Sequence, residues 1–210
     1  MAKKRIGIIG AAELGSLILR ICSDNDLFEV VGFYDDFKKE AEFMGLPILG
    51  TSNSIVKDFE SDRFDYVIIG FGYKHFQRRL DLFNLLSKKI PFANVIHPHA
   101  HIEPSAELGQ GCVVFPGVVI DQAVVIGDNV VLNLGTSISH HSQIGDHCFL
   151  APGVKIAGRV HVGHSNFIGI GAVVIDMVNI GDFCTIGALS LVLSDIGNGV
   201  KCYGIPVKEK

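Results

Sequence analysis

No stretch of 18 consecutive apolar residues occurs in the chain, although hydrophobic residues make up 48% of it. A membrane-spanning helix is therefore not expected, and the apolar material must fill cores. An excess of one charge is also lacking. Eighteen Lys and Arg face 22 Asp and Glu, a formal net charge of −4, which argues against a protein held to nucleic acid through phosphate contacts. Tryptophan is absent and cysteine is sparse, with five residues and no dense pairing pattern. That excludes a disulfide framework and fits a reducing, cytoplasmic compartment. The start, Met1-Ala2-Lys3-Lys4-Arg5 followed at once by strand-like Ile6–Ile9, lacks the long apolar stretch of a signal peptide.

What the chain does have is a period of six. Stepping from Ile96 gives Ile102, Leu108, Val114, Ile120, Ile126, Leu132, Ile138, Ile144, Leu150, Ile156, Val162, Ile168, Val174, Ile180, Ile186 and Val192, so all seventeen positions are Ile, Leu or Val. The next position is often Gly, and the fifth is mostly small or β-branched, as at Cys112, Val130, Thr136, Ser142 and Cys148. Six is neither a helical period nor simple alternation. It is the hexapeptide β-helix signature: short strands joined by tight turns, each turn pairing with the one above, around one apolar column. Three hexads close a coil, so five to six coils are expected. Cys112, Cys148 and Cys184 lie 36 residues apart, which places them two coils apart on one inward column, too far for disulfides.

The first ninety residues read differently, as βαβ units. Strands are expected at Ile6–Ile9, Val30–Tyr34, Leu46–Leu49 and Tyr66–Ile69, with helices to about Cys22, over Ser52–Phe59 and over about His75–Ser87, giving a small parallel α/β domain. The Gly10-Ala-Ala-Glu-Leu-Gly15 turn can present backbone N–H groups to a phosphate, and Asp35-Asp36 closes the second strand where an acid can bind ribose hydroxyls. The fold class expected is thus a Rossmann-like α/β domain over 1–95, a β-helix over 96–197 and a tail over 198–210. The tail is read as a cover for the last coil or for a bound ligand.

One stretch of the repeat carries chemistry: Ile138-Ser139-His140-His141-Ser142-Gln143-Ile144-Gly145. A histidine third in a hexad sits at a turn on the column's edge, and an imidazole there can act as a base near neutral pH. A solvated turn histidine satisfies the spacing equally well. His97, His99 and His101 alternate, but successive residues diverge where they enter the first coil, so no metal site is expected. His147, His161 and His164 read as surface residues.

The whole chain resembles the bacterial nucleotide-sugar N-acetyltransferases that act on 4-amino sugars, and the related sialic acid O-acetyltransferases. The resemblance is carried by Asp35-Asp36, the Val95-Ile-His-Pro98 entry, the uninterrupted hexads and the closing Gly204-Ile-Pro-Val-Lys208. It implies a left-handed coil, a homotrimer with active sites between subunits, and acetyl-CoA as co-substrate without a metal. In that family the motif reads Asn-Thr-x-x-x-x-His-Asp, with the histidine as catalytic base. Here Asn133-Leu-Gly-Thr-Ser-Ile-Ser-His140-His141 makes His140 the matching base and Asn133 a polar residue of the same wall. His141 stands where the family has an orienting acid. A neutral His141 can accept a hydrogen bond, whereas a cation would weaken His140; either another carboxylate serves or the base is weaker.

By position, Phe149, Gly158, Ile170 and Ala188 match the acetyl-CoA contacts, made mainly through backbone, and an N–H near Gly158 is a candidate oxyanion donor. Ala12, Glu13, Leu14, Asp35, Asp36 and Gly70 match the nucleotide-sugar contacts. The activity implied is acetyl transfer to the amino group, at C4, of a nucleotide-linked amino sugar, feeding glycan synthesis. O-acetylation of a sugar, or a non-catalytic trimeric scaffold that binds a nucleotide sugar, are the competing readings.

Overall fold

A computed structural model describes residues 3–209, and the chain forms two compact units, the first ending at Pro98 and the second beginning at His99. The first unit is built on β1 (Lys4–Ile9), β2 (Phe28–Tyr34), β3 (Glu42–Phe43), β4 (Leu46–Gly50) and β5 (Tyr66–Ile69), in the order β3-β4-β2-β1-β5. All neighbours are parallel except the β3–β4 hairpin, which the sequence pattern did not reveal. Helices α1 (Glu13–Ser23), α2 (Ile55–Glu60) and α3 (Phe76–Leu86) connect the strands. Short 3-10 turns at Ser52–Ser54 and Tyr73–His75 lead into α2 and α3, so both helices begin a little later than their sequence pattern suggests. Tyr34, Phe64, Val67, Phe83, Leu86 and Phe92 form one buried cluster of this unit.

The order of the sheet matters for function. The chain leaves β1 toward β2 and β4, then crosses back to place β5 on the other side of β1. The carboxyl ends of β1 and β5 therefore flank a switch point, the place where open α/β sheets bind ligands. Gly10, Gly15 and Gly70 pack there. A Cβ on Gly15 would lie 2.1 Å from the Gly10 carbonyl oxygen, and one on Gly70 would lie 2.9 Å from the Gly15 Cα. These glycines let the strand ends and the start of α1 approach each other.

The second unit is a parallel β-helix. Two-residue strands stack 18 residues apart in strict register, for example Val119 beside Ser137 and Ile120 beside Ile138. One face stacks six strands from His101–Ile102 to Leu191–Val192, and the next stacks five from Glu107–Leu108 to Asn179–Ile180. The third stacks those at Val113, Val131, Phe149, Phe167 and Thr185, continued by Lys201–Tyr203 and by antiparallel Lys208–Glu209. Backbone N–H groups reach carbonyls in the following coil, as in Val119 N–H to Thr136 O at 2.9 Å and Asp121 N–H to Ile138 O at 3.0 Å. From Val114 onward every six-step residue is buried, while Ile96, Ile102 and Leu108 are half-buried. The fifth positions Cys112, Val118, Val130, Thr136, Ser142, Cys148 and Val154 are fully buried as well. Each hexad thus sends two side chains inward, and the apolar burial is worth about 1.5–3 kcal/mol for each large residue.

The edges of the column explain the glycines. On the edge that follows the five-stranded face, Asp128 leans back one coil to accept the Gln110 N–H at 2.8 Å, Asp146 does the same for Asp128, and Asp182 for His164 at 2.7 Å. A Cβ on Gly109, Gly127 or Gly163 would lie 2.2–2.3 Å from those carboxylate oxygens. The third residue of many turns has positive φ: Ala123, His141, Arg159 and Met177 on one edge, Asn129, His147, Ser165 and Phe183 on another. His147 is not the surface residue its spacing suggested. It is buried, with Nδ1 3.0 Å from the Asn129 amide one coil back.

All five cysteines are reduced and buried. Cys202 extends the column of Cys112, Cys148 and Cys184, 18 residues beyond the last. The Cys148 thiol donates to the Gly163 carbonyl at 3.1 Å, and burial pushes its pKa up to about 12. No helix of the described residues is long and apolar enough to cross a membrane. Two outcomes are expected. Ile156→Ala, at a position 1% exposed, should cost about 2–5 kcal/mol by denaturant unfolding. Iodoacetamide should label no cysteine of the native chain and all of them after unfolding, whereas rapid native labelling of Cys148 would show that the column is not closed.

Candidate functional site

The turn Ser139–Ser142 is pinned from both sides. Its strand pair, Ser137–Ile138 and then Gln143–Ile144, belongs to two different faces, so the turn lies on their common edge. Inward-facing Ser142 donates to the Ala157 carbonyl at 2.8 Å and accepts from the Val160 N–H at 3.1 Å. That clamps the turn to the next coil, where Gly158 occupies the place 18 residues beyond His140.

Gly158 decides where the His140 ring goes. A Cβ there would fall 2.7 Å from His140 Cε1 and 2.8 Å from Nε2, so the imidazole fills the space that a side chain would take. His140 Nδ1 lies 3.2 Å from His141 Nδ1, with ring centroids 5.4 Å apart. Nε2 has no hydrogen-bond partner among the described residues, and His140 is half-buried beside exposed His141. Two carboxylates stand close, both occupied by backbone. Asp121 accepts the N–H of His140 at 3.3 Å and of Gln122 at 2.8 Å, and Asp176 Oδ1 accepts the Gly158 N–H at 2.9 Å. The oxyanion donor expected at Gly158 is therefore already engaged.

The remaining expected residues do not gather around His140. Asn133, Ile170 and Ala188 lie on the edge at the other end of the six-stranded face, where Asn133 Oδ1 accepts the Leu134 N–H at 2.8 Å. Ile170 and Ala188 are exposed, one coil apart, and neither backbone N–H has a partner among the described residues. Phe149 is on no edge. It is 8% exposed, its ring stacks on Phe167 at 5.9 Å, and its N–H is taken by the Asn166 carbonyl. Its ring packs against the neighbouring coil of the same face. Among the described residues no group of three or more His, Cys, Asp or Glu could hold a metal ion.

In the first unit a pocket of about 450 Å³ opens at the switch point, walled by Ala12, Asp35, Asp36, Phe37, Ser52 and Arg78 among others. Ala12, Asp35 and Asp36 were expected; Glu13 and Leu14 are on α1 beside it, and buried Gly70 serves packing. Asp35 is a loop organiser. Its Oδ2 accepts the Ala11 N–H at 2.8 Å and its Oδ1 the N–H groups of Phe37 and Lys38, both at 2.9 Å. Asp36 accepts from Ser52 through both N–H (2.7 Å) and Oγ (3.0 Å), and pairs with Arg78. Burial works to raise the Asp36 carboxyl, but the Ser52 hydrogen bonds and the Arg78 guanidinium outweigh it and hold it below its ordinary value. Ser52 and Arg78 had no sequence signal, since neither belongs to a motif. Phe37, 89% exposed at the pocket, offers a ring face to a flat ligand.

The comparisons agree with this architecture from end to end. The PglD N-terminal domain family matches residues 5–82, and the bacterial transferase hexapeptide (six repeats) family matches residues 123–158. The acetyltransferase domain of PglB from Neisseria gonorrhoeae, in complex with acetyl coenzyme A, superposes with a TM-score of 0.91 at 25% identity, covering 100% of both chains. A variant of GDP-perosamine N-acetyltransferase from Caulobacter crescentus, in complex with CoA and GDP-perosamine, gives 0.91 at 28% identity, over 100% of this chain and 98% of that one. Along its whole length the chain is similar to the hexapeptide-repeat nucleotide-sugar N-acetyltransferases. WeeI from Acinetobacter baumannii is similar too, with a TM-score of 0.84 at 25% identity over 98% of this chain and 99% of that one. A search of curated proteins by sequence gives no match. As in this class, the coil is left-handed.

The Gly158 contact generates a prediction. Gly158→Ala should displace the His140 ring, the movable partner in that contact, and leave the coil folded. Turnover should fall about tenfold or more, with an unchanged circular dichroism spectrum and melting temperature within a few degrees. Wild-type turnover in this variant would show that the ring's position over Gly158 is unimportant.

Proposed function

We propose that the chain transfers the acetyl group of acetyl-CoA to the amino group, at C4, of a nucleotide-linked amino sugar, with His140 as general base. The observation that carries this reading is the unpartnered Nε2 of His140, held at an exposed edge over a glycine, in a chain alike throughout its length to structures that contain CoA and an amino-sugar nucleotide. The amine attacks the thioester carbonyl, and the new C–N bond leaves a proton on nitrogen that must go. His140 Nε2 takes it, the intermediate expels the thiolate, and the imidazolium returns the proton to give free CoA.

The split between edges supports a site shared by neighbouring chains. One chain presents His140 on one edge and Asn133, Ile170 and Ala188 on the next, so a single copy does not assemble the set. In a homotrimer the second edge comes from the adjacent subunit, where the free N–H groups of Ile170 and Ala188 meet the carbonyls of the pantetheine arm. The nucleotide occupies the pocket of the first unit. There Asp36, Ser52 and Arg78 supply polar contacts and Phe37 covers the base, with Ala12, Glu13 and Leu14 at the start of α1. Reduced, buried cysteines and these substrates support a cytoplasmic location and a role in glycan precursor synthesis.

The test is a screen of UDP-, dTDP- and GDP-linked amino sugars with acetyl-CoA, following thiol release. His140→Asn should lower kcat by about 10²–10⁴ while CoA binding by calorimetry stays within a few fold. A variant that turns over like wild type would remove His140 from the chemistry. Failure of the wild-type chain to bind any acyl-CoA would leave only a scaffold.

A further inference from the structure

The His140 ring has one partner among the described residues, and it is not an acid. Asp121 and Asp176, the two carboxylates facing the ring's surroundings, spend the oxygens described above on backbone N–H groups and make no hydrogen bond to the imidazole. Arg159 donates its backbone N–H to the His140 carbonyl at 3.0 Å, and the Lys155 ammonium is held at the Gly135 carbonyl at 2.8 Å. That leaves the His141 Nδ1, at 3.2 Å from His140 Nδ1.

Two nitrogens at that distance hold one proton between them. Two N–H groups would clash, and two bare lone pairs would repel. If His141 donates, His140 carries its own proton on Nε2 and has no base to offer. If His140 donates, its Nε2 is bare, and Nε2 is the nitrogen that lies over Gly158 with no partner. The backbone holds His141 in place for this: its φ of 60° is the left-handed conformation that Asn, Asp and His tolerate better than most residues. The preceding Asp121 contact and the following Ser142 clamp fix both ends of the pair.

From this juxtaposition we infer that His141, as a neutral imidazole, is the positioning residue of the reaction, accepting the Nδ1–H of His140 and so holding the bare Nε2 toward the substrate amine. The inference rests on the assignment of His140 as base. His141 differs from a carboxylate in that role because it carries no charge to stabilise the imidazolium, and because proton uptake by either ring turns the couple into a cation without a base. Asp121 and Asp176 are the fixed anions facing the pair and remain in every variant below.

The test compares His141→Ala, His141→Asn and His141→Asp by kinetics across pH and by nitrogen-15 NMR of the histidine side chains in the substrate-free protein. In the wild type, NMR should show His140 as the Nδ1–H tautomer. His141→Ala should lose that preference and lower kcat about tenfold to a hundredfold, with KM within about twofold. His141→Asn, whose carbonyl accepts the same proton and whose backbone suits a positive φ, should recover most of the rate. His141→Asp should move the acid limb of the pH–rate profile upward by about one unit, because an adjacent anion favours the imidazolium. An Nε2–H tautomer on wild-type His140, or a His141→Ala enzyme with wild-type kcat and pH profile, would overturn the inference. The two ideas fail separately: if no amino sugar is acetylated by the wild type, the proposed reaction falls, while the tautomer measurement still decides the role of His141.

Discussion

Everything in the second unit depends on one hydrogen-bonding constraint: each hexad strand pairs in parallel with its neighbours 18 residues away along the chain. That register turns a linear period of six into three faces and three edges. It converts residues 18 apart, such as His140, Gly158 and Asp176, into neighbours on one edge. It also makes the edges unforgiving. Where the Asp ladder crosses Gly109, Gly127 and Gly163, and where His140 crosses Gly158, a Cβ would meet the leaning side chain. The catalytic geometry proposed here is therefore a local variation of a structural device that the fold uses repeatedly.

Much of this was legible in the sequence because the period itself encodes the packing. The six-step aliphatic residues, the small inward fifth positions and the βαβ alternation of the first ninety residues all follow from which side chains must face a core. What was not legible depends on contacts between distant residues of unlike type. Nothing in the local sequence says that Ser52 and Arg78 converge on Asp36, or that Asp35 spends its oxygens on three backbone N–H groups. The contact of His147 with Asn129 one coil back and the stacking of Phe149 on Phe167 one coil on likewise join residues 18 apart. The direction in which His140 leans was likewise hidden, since it is set by the absence of a side chain at Gly158 and by the clamp at Ser142.

The two units divide the chemical problem. The switch-point pocket of the first offers a fixed polar cluster and an exposed aromatic ring, suited to a nucleotide whose base and ribose do not react. The second offers an imidazole on one edge and unpartnered backbone donors on another, suited to a thioester laid between columns. The left-handed backbone at His141 is one the same edge repeats at Ala123, Arg159 and Met177. In the proposed mechanism the base is kept usable by a neutral neighbour and by a glycine, both on turns that the coil already requires.

The claim that two edges from two chains make one site is tested most directly by subunit mixing. His140→Ala protomers lack one edge, and Ile170→Glu protomers spoil the other. Refolded together, they should regain up to about a quarter of wild-type turnover, since a random mixture joins two intact edges at that share of interfaces, although each alone is inactive. Mixed assemblies as silent as their parents, with co-assembly confirmed by native mass spectrometry, would contradict a shared site.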